Sequence, residues 1–169
     1  FPGSLMAPTA SPPVVDVDRL RPDDRAGVEG VAALEREAFP DDAQTAPNLA
    51  LMARAGEIWV ARRPDDGIVG EAIVIGGVGE PRAFLFSLAV TRSWRRRGIG
   101  FMLMHAVLES LTARGVRSLE LTVDPENRPA LGLYLSRLGC ESVEFLSDHF
   151  GPGRHRQLLR KILGAGGAE

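Results

Sequence analysis

One stretch has residue types and spacing suited to holding a charged group. It is Arg95-Arg96-Arg97-Gly98-Ile99-Gly100, set between two apolar segments. Phe84 to Val90 before it is apolar, aromatic and β-branched, as a buried strand requires. After the glycines, Ile99, Leu103, Ala106, Val107, Ser110 and Leu111 recur on one face at helical spacing. The glycines therefore stand where a helix begins. The first N–H groups of a helix have no partner within it, and with the helix dipole they attract an anion, normally a phosphate. Glycine lets the backbone come close to such a group, and three guanidiniums add charge and planar donors. Without a ligand, the same residues make an arginine-rich solvated turn.

The loop matches neither common nucleotide pattern. A P-loop needs a lysine followed by Ser or Thr after its last glycine, and no lysine follows here. A dinucleotide fingerprint needs a third glycine where Leu103 stands.

The surrounding elements follow from periodicity and punctuation. Phe1 to Pro13 is rich in Pro, Ser, Ala and Gly and reads as a disordered tail; Phe1 to Leu5, ahead of Met6, read as an expression remnant. Val14 to Leu20 alternates as a first strand. Pro22-Asp23-Asp24 opens a helix that carries Val28, Val31, Leu34 and Ala38 on one face and ends at Phe39-Pro40. A polar loop and a short helix, Asn48 to Ala55, come next. Strands are expected at 57–62, 68–75, 84–90, 118–123, 141–146 and 157–162, with a helix from Pro129 to Leu138. The order is β-α-α-β-β-β-α-β-α-β-β in one domain spanning residues 14–163, with a flexible tail at 164–169.

Composition narrows the function class. The chain has 169 residues, 44% hydrophobic and 25% charged, with a net charge of -2, which suits one globular domain and gives no basic footprint for nucleic acid. The arginine cluster is short and has no aromatic stacking platform beside it. Cys140 is the only cysteine, which excludes an internal disulfide and a cysteine-rich zinc site; His105 has no second ligand at useful spacing. No apolar run approaches the roughly 20 residues that span a membrane, so no membrane partner and a cytoplasmic location are expected. Lys161 is the only lysine among many arginines, a compositional bias.

Arg95-x-x-Gly98-x-Gly100 between a strand and a helix resembles the acyl-CoA pyrophosphate loop of the GNAT superfamily of N-acetyltransferases, whose pattern is Gln/Arg-x-x-Gly-x-Gly/Ala. The element order is also that of the family: an α/β fold with a mixed, mostly antiparallel central sheet and helices on both faces. The resemblance implies acetyl-CoA as cosubstrate. It implies that the backbone of Arg96, Arg97, Gly98, Ile99, Gly100 and Phe101 holds the pyrophosphate, with Arg95, Arg96 and Arg97 adding charge. It implies that the backbone of Leu88, Ala89 and Val90 guides the pantetheine arm beside a bulge in that strand. Asn127-x-x-Ala130-x-x-Leu133-Tyr134 resembles a second family motif. Asn127 reads as a helix N-cap, and the resemblance adds contact with pantetheine or substrate. Tyr134, the only tyrosine, reads as a core aromatic, and the resemblance makes it the acid that protonates the leaving thiolate.

The flanks narrow the resemblance. Phe39-Pro40-Asp41 and the loop Asp148-His149-Phe150-Gly151-Pro152-Gly153 look like the ribosomal-protein alanine N-acetyltransferase branch, which acetylates protein N-termini. Two departures stand out. Gly139 follows Tyr134 by five positions where the family has four, so either a π-bulge or longer helix end absorbs one residue, or Leu135 takes the tyrosine position. The branch's general base, usually Glu, falls at Thr122. Glu71, Glu120 and His149 are replacement candidates, beside bulk water. An α-amine with pKa about 7.7–8.0 needs under roughly 1 kcal/mol to be neutral near pH 7.5, whereas a lysine needs about 4 kcal/mol. A peptide or protein N-terminus is therefore the expected acceptor. A small amine, or an acyl-CoA-binding module with weak transfer, are the alternatives. A monomer or homodimer is expected.

Overall fold

The computed structural model describes residues 14–65 and 67–164. The tail expected at 1–13, Asp66, and residues 165–169 of the tail expected at 164–169 lie outside these. The elements are β1 (Asp16–Arg19), α1 (Arg25–Ala38), α2 (Ala46–Ala55), β2 (Glu57–Arg63), β3 (Gly67–Gly76), β4 (Arg82–Val90), α3 (Ile99–Ala113), β5 (Ser118–Val123), α4 (Arg128–Leu131, continued by a π turn over Gly132–Arg137), β6 (Glu141–Leu146) and β7 (Arg156–Ile162). A short 3-10 turn at Arg92–Trp94, which the sequence reading does not contain, links β4 to the arginines.

Local chemistry sets the helix ends. The Asp24 side chain accepts a hydrogen bond from the Gly27 backbone N–H at 2.9 Å and caps α1. Pro40 disfavours a helical conformation at Phe39, and α1 stops there. α2 begins two residues before the expected Asn48, because Thr45 caps it and Pro47 fits its first turn.

The seven strands form one sheet in the order β1-β2-β3-β4-β5-β7-β6. Only β4 and β5 run parallel; all other neighbours are antiparallel. Helices cover both faces. α1 and α2 bury Val28, Val31, Leu49 and Ala53 against Ile58, Val60 and Ile73. α3 buries Ile99, Leu103, Met104, Val107 and Leu111 against the opposite face with Ala72, Val74 and Leu85. This is the expected mixed, mostly antiparallel fold with helices on both faces.

Two irregularities shape the centre. In the β3–β4 ladder Ile73 pairs with Ser87 but Val74 pairs with Leu85, so Phe86 is an extra residue in β4. The β4–β5 ladder ends at Leu85↔Leu121, while β5 continues beside β7 to Val123. Beyond Leu85, β4 has a neighbour only on the β3 side, and a cleft opens between β4 and β5.

α3 reaches this sheet because residue 70 has no side chain. A Cβ on Gly70 would sit 2.9 Å from Ile99 Cγ2 and 3.0 Å from Leu103 Cδ1. Gly70→Val should destabilise the fold by about 1–3 kcal/mol through overpacking, measured as a lower urea midpoint at unchanged slope. An unchanged midpoint would mean that α3 can shift freely on β3.

Candidate active site

The cleft meets the start of α3. Gly98 caps α3 with φ 80, and Arg96 before it has φ 62, both in the left-handed region. Both residues lie in the exposed 95–98 segment just before a helix of 15 residues, whose first N–H groups and dipole suit a phosphate. The arginines are not equivalent. Arg95 Nε donates to the Val90 carbonyl at 2.9 Å and ties the loop to β4. Arg97 lies over the Trp94 ring at 4.4 Å, and Arg63 lies over the same ring at 4.2 Å. Arg96 is exposed. Ile99 is buried in the core, and Phe101, half-buried, lies under Arg137 at 4.4 Å.

β4 offers its backbone to the cleft at alternate residues. The Thr91 N–H donates to the Val69 carbonyl at 2.8 Å, so residue 91 faces β3. By the alternation of an antiparallel ladder, Ala89 also faces β3, whereas Leu88 and Val90 turn their amides to the open side. Of the three residues expected to guide an extended ligand, Leu88 and Val90 have that direction, and the Ala89 amide is engaged within the sheet.

Tyr134 lies in the π turn and is buried in the core beside α3. Leu138 N–H donates to the Leu133 carbonyl at 2.9 Å, five residues back, as a π turn requires. This turn absorbs the additional residue before Gly139. Tyr134 stays inward with 6% exposure, while Leu135 is 38% exposed, so the tyrosine keeps the inward position. Leu133 approaches the start of α3: a Cβ on Gly100 would lie 3.6 Å from Leu133 Cδ2 and 3.9 Å from Leu88 Cδ2. Burial, with smaller contributions from Cys140 and Glu71, pushes the Tyr134 phenol far above its ordinary value. It therefore stays protonated through the working pH range. Asn127 caps α4, its side chain accepting from the Ala130 N–H at 3.2 Å.

The three replacement candidates for a base fare differently. Glu120 is held by Arg160, whose Nη2 and Nε donate to Oε1 at 2.8 and 3.1 Å, with Arg82 at 3.6 Å. It sits near the closed end of the β4–β5 pair. His149 is exposed, in a loop whose neighbour Phe150 packs under Arg156 at 4.4 Å. That loop is tied to the loop after α1 by an Arg154–Asp42 ion pair. Thr122 is half-buried on β5 and pairs with Leu158.

Glu71 is fully buried on the face covered by α1 and α2. Its Oε1 lies 2.8 Å from Ser87 Oγ, which lies 2.7 Å from Glu35 Oε1. Glu35 is itself 1% exposed, and its Oε2 accepts the Gln44 backbone N–H at 3.0 Å. Glu35 and Ser87 are absent from the sequence reading, yet both leave a trace in it. Glu35 falls four residues after Val31 on the apolar stripe of α1, and Ser87 is the single polar residue in Phe84–Val90. The shallow depressions in the described surface, around His105–Lys161 and Arg117–Arg160, lie away from this cleft, toward the other end of the sheet.

Burial, then the neighbouring Glu35 charge, raises the Glu71 carboxyl well above the usual carboxylate range. The folded state thus holds this proton more tightly than the unfolded chain. Its stabilising effect is complete below the unfolded pKa of about 4.3 and is lost as pH rises through the raised value. Glu71→Gln carries no such loss. In thermal melts across pH 4–8, the variant's Tm relative to the native protein should climb with pH. A constant offset would show that Glu71 does not titrate there.

Comparison with known proteins agrees with this geometry. Residues 27–140 match the model of the Acetyltransferase (GNAT) family. The chain is 40% identical over 79 residues to the [Ribosomal protein bS18]-alanine N-acetyltransferase of Salmonella typhimurium, covering 47% of this chain and 53% of that protein. It is 34% identical over 88 residues to N-alpha-acetyltransferase daf-31 of Caenorhabditis elegans, covering 50% and 47%. It spans about half the length of these curated relatives. Its fold superposes on the ribosomal-protein-S18-alanine N-acetyltransferase from Escherichia coli with a TM-score of 0.76 at 19% identity, over 92% of this chain and 97% of that one. With two thirds of its length inside the family model, and with the cleft, helix N-terminus and inward tyrosine in place, the chain belongs to the GNAT acetyltransferase family.

Proposed function

We propose that this protein is an acetyl-CoA-dependent N-acetyltransferase whose acceptor is a primary amine, foremost the α-amine of a peptide or protein N-terminus. The observation that carries the reading is the β4–β5 cleft, which opens beside the start of α3, where Leu133, the residue before Tyr134, approaches Gly100. The pyrophosphate of acetyl-CoA suits the N–H groups from Arg96 to Phe101, with Arg96 adding charge. The amides of Leu88 and Val90 suit the pantetheine arm, which would extend the sheet as an added strand. The two curated relatives, named as an alanine N-acetyltransferase and an N-alpha-acetyltransferase, support the α-amine.

The residues then divide the chemistry. Attack by a neutral amine breaks the thioester C–S bond and leaves charge on sulfur. Tyr134, kept as phenol by its burial, donates a hydrogen bond to that sulfur. Because burial also makes the phenol a weaker acid, it serves best by passing on a proton as it receives one from the reacting amine.

Three measurements test this reading. Mass spectrometry of a mixed panel should show acetylation of peptides with free Ala, Ser, Thr or Met N-termini. Acetylation confined to blocked lysine peptides or polyamines would move the acceptor class, and no product with acetyl-CoA bound would favour a binding module. Tyr134→Phe should lower kcat by about 10²-fold or more, the usual effect of losing such a donor, with acetyl-CoA affinity unchanged in calorimetry. Gly98→Val should weaken acetyl-CoA binding by about tenfold, roughly one charge-assisted hydrogen bond, because a β-branched residue resists φ 80. Native affinity in that variant would remove the loop from the binding site.

A further inference from the structure

The Glu35–Ser87–Glu71 cluster has a proton count that its geometry fixes. Ser87 Oγ is within hydrogen-bond distance of a carboxyl oxygen on each side, at 2.7 and 2.8 Å. A hydroxyl has one hydrogen, and ionised carboxylates only accept. Filling both contacts requires a proton on one of the two glutamates. Glu35 Oε2 is satisfied by the Gln44 N–H, whereas Glu71 Oε2 is buried with no donor among the described residues. The shared proton therefore belongs with Glu71, in agreement with the raised value of that carboxyl.

The position of the cluster is as telling as its chemistry. Ser87 follows the extra residue Phe86, at the point where β4 loses β5 as a neighbour. Its side chain lies on the α1–α2 face, opposite the face that carries α3 and the anion-binding loop. A ligand lying along the open edge of β4 runs to this divergence, where Ser87 stands, and Glu71, when ionised, also raises the Tyr134 phenol. The titratable groups facing Glu71 are Glu35 from α1 and Tyr134 from the π turn. Its register partners, Val60 on β2 and Ala89 on β4, are apolar, and α2 contributes Leu49 and Ala53 to that face.

We propose that Glu35, Ser87 and Glu71 together form the proton-accepting site for the acceptor amine, in the role left open by Thr122. The proposal rests on the acetyl-transfer reading above. The acceptor enters as an ammonium and loses one proton, relayed by Ser87 to the ionised pair. The step leaves on the pair the one shared proton that its hydrogen-bond geometry accommodates. The amine nitrogen bonds to the thioester carbon, and the C–S bond breaks with its electrons left on sulfur. The second N–H proton passes through the Tyr134 hydroxyl to sulfur, giving amide and thiol. The pair then returns its proton to solvent.

The decisive readout is the pH profile of kcat/KM with a hexapeptide bearing a free N-terminal alanine. With the pair as base, the native acid limb follows the pair and not the amine, whose own pKa is about 7.7–8.0. In Glu71→Gln the limb should move to the amine's pKa, with kcat/KM at pH 7 reduced at least tenfold and acetyl-CoA affinity unchanged. Ser87→Ala, which removes the relay, should move the limb the same way and serves if Glu71→Gln folds poorly. A folded variant of either kind with the native limb and kcat/KM within twofold overturns the proposal and leaves the transferase reading intact. A native protein that binds acetyl-CoA yet acetylates no amine overturns both.

Discussion

The central constraint is the loss of pairing between β4 and β5. A parallel ladder that continued past Leu85 and Leu121 would close the sheet and leave no room for an extended ligand. The extra residue at Phe86 prevents this, because one more residue on β4 than on β3 bends the strand and raises its twist. β5 does not follow, since β7 holds it through Val123. The unpaired stretch of β4 is then a strand edge inside the protein. Such an edge is normally a hazard, and here its Leu88 and Val90 amides turn to the open side, the feature on which the proposed binding of an extended ligand rests.

Two backbone irregularities at the rim of the cleft aim the remaining groups. The left-handed turns at Arg96 and Gly98 bring the chain around into α3, whose start lies beside Leu88 of β4. The π turn rotates the last helical segment by one residue, which keeps Tyr134 inward and Leu135 outward despite the extra residue before Gly139. Trp94 holds the arginine loop from beneath through its contacts with Arg63 and Arg97.

Buried carboxyls are costly unless they are paired and hydrogen-bonded. The protein buries Glu57, Glu120, Glu35 and Glu71, but in two different ways. Glu57 is met by Arg114 at 3.1 Å and by Ser110, and Glu120 by Arg160, so both are neutralised by cations. Among the described residues, Glu35 and Glu71 are met by Ser87, by a backbone N–H and by each other, with no cation beside them. A structural pair would be better served by an arginine or by apolar residues. The placement of this acid pair at the strand divergence is what separates it from the other two.

Much of this protein is local in its sequence. The strands, the helices and their order follow from periodicity, caps and prolines, since each depends on residues within a few positions of one another. The arginine–glycine loop is legible for the same reason: Arg95-x-x-Gly98-x-Gly100 contains both its turn and its helix start. Tertiary structure decided what depends on partners distant in the chain. Whether Tyr134 or Leu135 faced inward rested on how the π turn packed against the core. The bulge at Phe86 has no composition of its own, because it is a mismatch between two strands. Glu35, Ser87 and Glu71 come from three elements, and no spacing in the chain announces that one hydroxyl lies between two carboxyls. The sequence marks each of the three as a polar residue out of place on an apolar face; only their convergence gives that misplacement a shared chemistry.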